Sequence, residues 1–239
     1  MRFDTSFKGL KVIELAGVLA GPSVGAFFAE LGAKVIKVEN PKTNGDVTRS
    51  WKLKTESKKE KLSAYYCSIN LLKQVIFADL SNSKANLKIL KLVRDADVLI
   101  VNFKKDDDKK FGFDFKRLHE LNPALIYASI CGFSLDENRV AYDLILQAES
   151  GFMSMNGTTE SGPVKMPVAL IDILAAHQLK EAILIAIMHR NKTGKGAHVA
   201  VSLYDTAVSA LANQASNFLN EGFIPSLQGS LHPNIAPYG

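Results

Sequence analysis

Only two cysteines occur in 239 residues, Cys67 and Cys131, far apart and without metal-ligand spacing. A disulfide framework or a zinc site is therefore not expected, and a reducing compartment fits. No apolar run reaches the ~18 residues that a membrane-spanning helix needs. The opening residues, MRFDTSFKGLKV, carry neither a long apolar stretch nor a cleavage-site pattern. Together these absences predict a soluble, cytoplasmic protein with no membrane partner. A concentrated basic stripe is also missing. The net charge is +5, yet the densest positive stretch, Lys52 to Lys61, also holds Glu56 and Glu60. That mixture predicts a solvated loop and no nucleic-acid partner, and a phosphate-bearing small molecule explains the balance as well as RNA does.

What is present is enough apolar material, 47% of residues, to build one large core. KVIEL (Lys11 to Leu15) reads as a strand, GVLAGP as its turn, the residues from Pro22 to Gly32 as a helix, and KVIKVE (Lys34 to Glu39) as a second strand. Strand, helix and strand within about thirty residues form a βαβ unit, which demands a parallel pairing. The alternation continues with strands at Val75 to Leu80, Asp97 to Phe103 and Leu125 to Phe133, and with helices over ANLKILKLVRDA and FKRLHEL. Further helices are expected from about Tyr142 to Met155, Ile173 to Arg190 and Asp205 to Asn220, with a strand from His198 to Leu203. The fold class is α/β, an open, doubly wound, Rossmann-like and mostly parallel sheet. After Gly222 the chain is rich in Gly, Pro and Ser and resumes no periodic pattern.

Chemistry is sought first at the carboxyl ends of such strands. GVLAGP lies there, as a tight turn or as an anion site at a helix N-terminus, without the G-x-G-x-x-G spacing of a dinucleotide fingerprint. Glu39 stands where a ribose-binding acid would, which leaves a nicotinamide-dependent dehydrogenase as a distant alternative. VALIDILAAH places one carboxylate, Asp172, in an aliphatic run. A buried carboxylate must be compensated. As a helix N-cap it would be satisfied by backbone N–H groups. As a nucleophile it would use the same donors, held ionised by the helix dipole. The residues alone favour the cap. His177 and Ser202 show no catalytic pattern.

The ordered segments GLKVIELAGVLAGP, ELGAKVIKVENP, GDVTRSW, DADVLIVNF, LNPALIYASICGF, YDLILQAESGFM and RNKTGKGAHVAVSLYDTAVSALANQA resemble the family III CoA-transferases. The resemblance implies that Asp172 attacks an acyl-CoA thioester and then carries CoA as an aspartyl thioester until an acceptor carboxylic acid takes it. It implies coenzyme A as the substrate cofactor, with no metal. Val18, Leu19, Ala20, Asn102, Phe103, Lys110, Tyr142 and Asp143 match positions along CoA or near acyl transfer. Departures are KKDDDKKF after Phe103, where the family has Arg-Pro-Gly, lysine in place of arginine at Lys110, and Asn70-Leu71-Leu72-Lys73.

Family members continue into a small domain. The expected organisation is a large-domain part over residues 1–222 and a linker over 223–239 toward an absent small domain. The expected partners are acyl-CoA and acid substrates, with either an interlocked homodimer or a chain supplying the missing C-terminal half. Two alternatives stand beside transfer. One is an acyl-CoA racemase on the same scaffold, whose His-Asp pair is Tyr142-Asp143 here. The other is a truncated CoA-binding or assembly subunit without turnover.

Overall fold

The computed structural model describes residues 5–238. Its first βαβ unit is β1 (Lys11–Leu15), α1 (Ala20–Glu30) and β2 (Lys34–Glu39), followed by short 3-10 turns at Pro41–Thr43 and Val47–Ser50. Next come α2 (Ala64–Asn70), β3 (Gln74–Phe77), α3 (Ser83–Arg94), β4 (Val98–Val101), α4 (Asp107–Phe111), α5 (Phe115–Leu121) and β5 (Ile126–Cys131). The rest comprises α6 (Asp143–Glu149), α7 (Phe152–Met155), α8 (Leu170–Thr193), β6 (His198–Ser202), α9 (Leu203–Ala210) and α10 (Asn213–Glu221).

The sheet order is β3-β2-β1-β4-β5-β6. Parallel ladders join the first five strands, so that Ile13 of β1 lies between Ile36 of β2 and Leu99 of β4. The winding reverses between β1 and β4, the point at which such sheets open a crevice at their carboxyl ends. The expected α/β sheet is thus observed. β3 stops before the predicted Leu80, because the Asp79 carboxylate turns back to accept the Ser81 N–H at 2.9 Å.

The chain divides into two compact units. One comprises the residues up to Cys131 with Ala176–Ala200, and the other Gly132–Ala175 with the residues from Val201 onward. The first is built on the sheet. Ile13, Ile36, Val93, Leu99, Leu118 and Tyr127 belong to one continuous apolar cluster. Two charged residues, Glu14 on β1 and Lys37 on the neighbouring β2, are also wholly buried. Lys37 Nζ reaches Glu14 Oε1 at 2.9 Å and Asp46 Oδ2 at 3.0 Å, and donates to the Ala16 carbonyl at 2.7 Å. Lys73 lies 2.8 Å from Glu14 Oε2, close enough for an ion pair but without hydrogen-bond geometry.

The second unit packs α6 against α9 and buries Leu146, Ile171 and Ala207. Ser202 caps α9 through the Asp205 N–H and donates to the Phe133 carbonyl at 2.6 Å. Two predicted helices are each broken in two. The helix expected from Tyr142 to Met155 is interrupted at Gly151, whose φ of 93° suits glycine and ends α6. The helix expected from Asp205 to Asn220 starts two residues earlier and breaks at Ala212, at φ 48°. The segment after Glu221 forms neither helix nor strand among the described residues, but Asn234 Oδ1 accepts from Asn213 Nδ2 at 2.9 Å and Asn217 Nδ2 at 3.0 Å, tying it to α10.

Candidate active site

In the first unit, the ends of β1, β2 and β3 enclose a cleft of about 430 Å³. Val18, Lys42, Asp46, Asp79 and Lys110 are among its walls. The turn after β1 is held in an uncommon shape. Val18 has φ 72°, which a β-branched side chain resists, and its N–H donates to Asp46 Oδ2 at 3.2 Å. One residue earlier, Asn102 grips Gly17 from both sides, accepting its N–H at 3.2 Å and donating to its carbonyl at 3.0 Å. Asp46 is itself pinned by Lys37 and by the Thr48 N–H and hydroxyl. Burial raises its carboxyl, but Lys37 and Thr48 outweigh that and hold it below the usual range. The buried ion pairs of the sheet thus extend to the backbone of the cleft.

On the rim, Lys42 Nζ meets Asp79 Oδ2 at 2.7 Å. Hydrogen bonds from Lys42 and Ser81 bring the Asp79 carboxyl down to about 2. Of the residues matched to CoA contacts, Val18 and Lys110 line this cleft and the other four of the first unit do not. Leu19 is the residue before α1, Ala20 opens that helix, Asn102 clamps the turn, and Phe103 packs on Phe111 and Phe113. Glu39 is not a free ribose acid. It is 3% exposed and accepts from Arg49 at 2.6 and 3.1 Å, from the Tyr66 hydroxyl at 2.6 Å and from the Asp46 N–H at 2.9 Å. Those four bonds use its acceptor capacity.

The second unit holds Tyr142, Asp143 and Asp172. Asp172 is the third residue of α8, so it is not the N-cap that its position before ILAAH suggested. The helix begins two residues before it, and Asp143 supplies the cap. Asp143 Oδ1 accepts the Ile171 N–H at 2.7 Å and the Asp172 N–H at 3.3 Å. Its Oδ2 accepts from Gln147 Nε2 at 2.6 Å. The expectation that the helix dipole keeps Asp172 readily ionised is overturned as well. Burial first, and the Asp143 charge second, push its carboxyl up to about 7. Tyr142 precedes α6 with its side chain exposed.

Asp46, Lys42 and Gln147 were not singled out from the sequence. For Gln147 a signal existed, since Asp143 and Gln147 are four apart and face each other on a helix. Asp46 offered only its place in GDVTRSW. Among the described residues no helix is long and apolar enough to cross a membrane, and no group of three or more His, Cys, Asp or Glu side chains is placed to hold a metal ion.

The chain is similar to known proteins over nearly all of its length. The chain is 44% identical over 236 residues to a succinate–glutarate CoA-transferase of Agrobacterium fabrum, covering 96% of this chain and 59% of that protein. It is 35% identical over 237 residues to a succinyl-CoA:mesaconate CoA-transferase of Haloarcula hispanica, again covering 96% of this chain and 59% of the relative. A crystal structure of a CAIB/BAIF family protein from Brucella suis superposes with a TM-score of 0.90 at 41% identity, over 98% of this chain and 63% of that one. The chain therefore spans about three fifths of the length of these relatives. The model of CoA-transferase family III matches residues 7–239, and the chain belongs to that family.

Proposed function

We propose that the chain moves CoA from an acyl-CoA to a carboxylic acid through an aspartyl-CoA thioester on Asp172. The observation that carries this reading is the place of Asp172 in the first turn of α8, where Asp143 holds the backbone N–H groups of Ile171 and Asp172, and burial there raises its carboxyl. A more basic carboxylate is a stronger nucleophile, and near neutral pH a large fraction of it is still ionised.

The steps balance without a net proton. A carboxylate oxygen of Asp172 bonds to the thioester carbonyl carbon, the C–S bond breaks, and CoA thiolate leaves a mixed anhydride. The thiolate then attacks the aspartyl carbonyl carbon, the anhydride C–O bond breaks, and the donor acid departs. An acceptor carboxylate attacks the aspartyl thioester and expels the thiolate, which attacks the acceptor's acyl carbon and regenerates Asp172. Each leaving group is a thiolate or carboxylate, so no general acid is required.

The first unit's cleft, where Lys42 and Lys110 supply positive charge and Val18 presents the turn, suits a phosphate-bearing ligand. Leu19, Ala20, Asn102 and Phe103 shape that turn and its support. Short dicarboxylic acids are the substrate class supported by the names of the relatives. Residues 1–222 are assigned to the large domain and 223–239 to the linker that follows it. Racemisation on this scaffold is less well supported, since Tyr142 stands where that reading needs an imidazole.

The test is intact-protein mass spectrometry after incubation with succinyl-CoA. A CoA adduct on the wild-type chain that Asp172→Ala lacks is expected. No adduct and no exchange of labelled succinate in the wild type, or an adduct that survives in Asp172→Ala, would end the assignment.

A further inference from the structure

Helix α8 opens without a polar side chain of its own to cap it. Val168 and Ala169 lead into Leu170, and none of the three carries a side-chain acceptor. The free N–H groups of Ile171 and Asp172 turn instead to Asp143 Oδ1, at 2.7 and 3.3 Å. An uncapped first turn in a partly buried place would leave these donors unpaired, so the distant carboxylate is needed. That carboxylate is in turn fixed from its other oxygen by Gln147 Nε2, at 2.6 Å.

Gln147 is 1% exposed, and its amide is fully engaged. Besides holding Asp143, Nε2 lies 3.4 Å from the Val168 carbonyl, and Oε1 accepts the Met166 N–H at 2.8 Å. One buried amide therefore grips both the capping carboxylate and the extended segment that enters α8. We infer that Gln147 is a positioning residue for the nucleophile, locking the Asp143 carboxylate onto the mouth of α8 so that a fixed negative charge stands beside Asp172. The inference rests on the reading of Asp172 as the nucleophile.

This arrangement has a chemical use. Asp143 accepts hydrogen bonds at both oxygens, which fixes the carboxylate in place at the mouth of α8. Among the described residues it is the charged group that acts on Asp172, the other influence there being burial. When Asp172 becomes an anhydride or a thioester, its own charge disappears and the repulsion from Asp143 goes with it. The fixed charge thus destabilises the free nucleophile relative to its covalent adducts. Without Gln147, Asp143 is free to rotate away, and both the cap and the charge lose their place.

The test uses the full chain without substrate, in the wild type, in Gln147→Met and in Asp143→Asn. Amide hydrogen exchange is read at Ile171 and Asp172, and the Asp172 carboxyl is titrated by carbon-13 NMR. In Q147M, exchange at both amides should quicken at least tenfold while the far-UV spectrum stays the same. In D143N, the Asp172 midpoint should fall by at least half a pH unit. Exchange within twofold of wild type at both amides, or an unmoved Asp172 midpoint in D143N, overturns the inference. Should Q147M fail to fold, Gln147→Glu replaces it. Burial and the neighbouring carboxylate raise this carboxyl above its ordinary value of about 4.3, so that at about pH 5 it is protonated and donates to Asp143 as the amide does, whereas at about pH 8 it is ionised and cannot. Protection of the two amides at the lower pH and its loss at the higher supports the relay, and equal protection at both overturns it. None of these measurements requires CoA transfer, so a wild type that forms no CoA adduct counts against the proposed function and leaves this result standing on its own.

Discussion

At the scale of single residues, Asp172 shows how one position can be legible in kind and misread in state. Its isolation in an aliphatic run marked it as a carboxylate that needs compensation, and its place before ILAAH suggested an N-cap. Both inferences used only local sequence. The structure starts the helix earlier and brings in Asp143, which no local pattern could reveal. The outcome is a carboxyl raised to about 7 from an ordinary value of 3.8, by burial first and Asp143 second. Because the folded state holds this proton more tightly than the unfolded chain, stability falls as pH rises from about 4 to about 7 and stays lowered above that. Asp172→Asn removes the ionisable group. Its melting temperature should exceed that of the wild type more at pH 8 than at pH 4.5, by about 2–4 °C for each kcal/mol recovered. Thermal melts at the two pH values check this, and an equal difference at both would contradict the assigned state of Asp172.

At the scale of elements, the strands of the first unit were readable because buried parallel strands are near-continuous aliphatic runs. VLIV of β4 is buried at every position. The helices of the second unit were harder, since apolar periodicity runs through a break without registering it. At the Tyr142 to Met155 helix the breaker was visible as Gly151. At the α9–α10 junction it was not, because Ala212 is an ordinary helix former that the fold holds at φ 48° and ψ −114°. Such a backbone costs an alanine about 1–3 kcal/mol. Ala212→Gly should therefore stabilise the chain, by about 1 kcal/mol after the added freedom of the unfolded glycine is subtracted. A higher urea midpoint with an unchanged slope is the expected result.

Across the molecule, the notable feature of the first unit is an ion-pair network in the middle of its sheet. Burial alone would lower the Lys37 ammonium, but Glu14 and Asp46 carry it above its usual value. Nearby Lys73 is brought down to about 8, chiefly by burial and against the pull of Glu14. The network links the sheet interior to Val18 in the turn that lines the cleft, through Asp46. Replacing Lys37 with methionine strands Asp46 and half of Glu14 in the interior, at a cost of about 3–5 kcal/mol. Equilibrium unfolding should show that loss, and the cleft-lining amide of Val18 should exchange faster in the folded state.

By itself the sequence determined the α/β class, the run of strands and helices in the first unit, and the family, because these rest on hydrophobic period and on ordered segments that a linear reading contains. Only the tertiary structure decided which groups meet. It spent Glu39 on Arg49 and Tyr66, set Asp46 under the turn at Val18, and placed Asp143 and Gln147 at the mouth of α8. The physical reason is that a side chain's charge state and hydrogen-bond partners depend on neighbours brought together by packing, often from tens of residues away, and no local window of sequence records that distance.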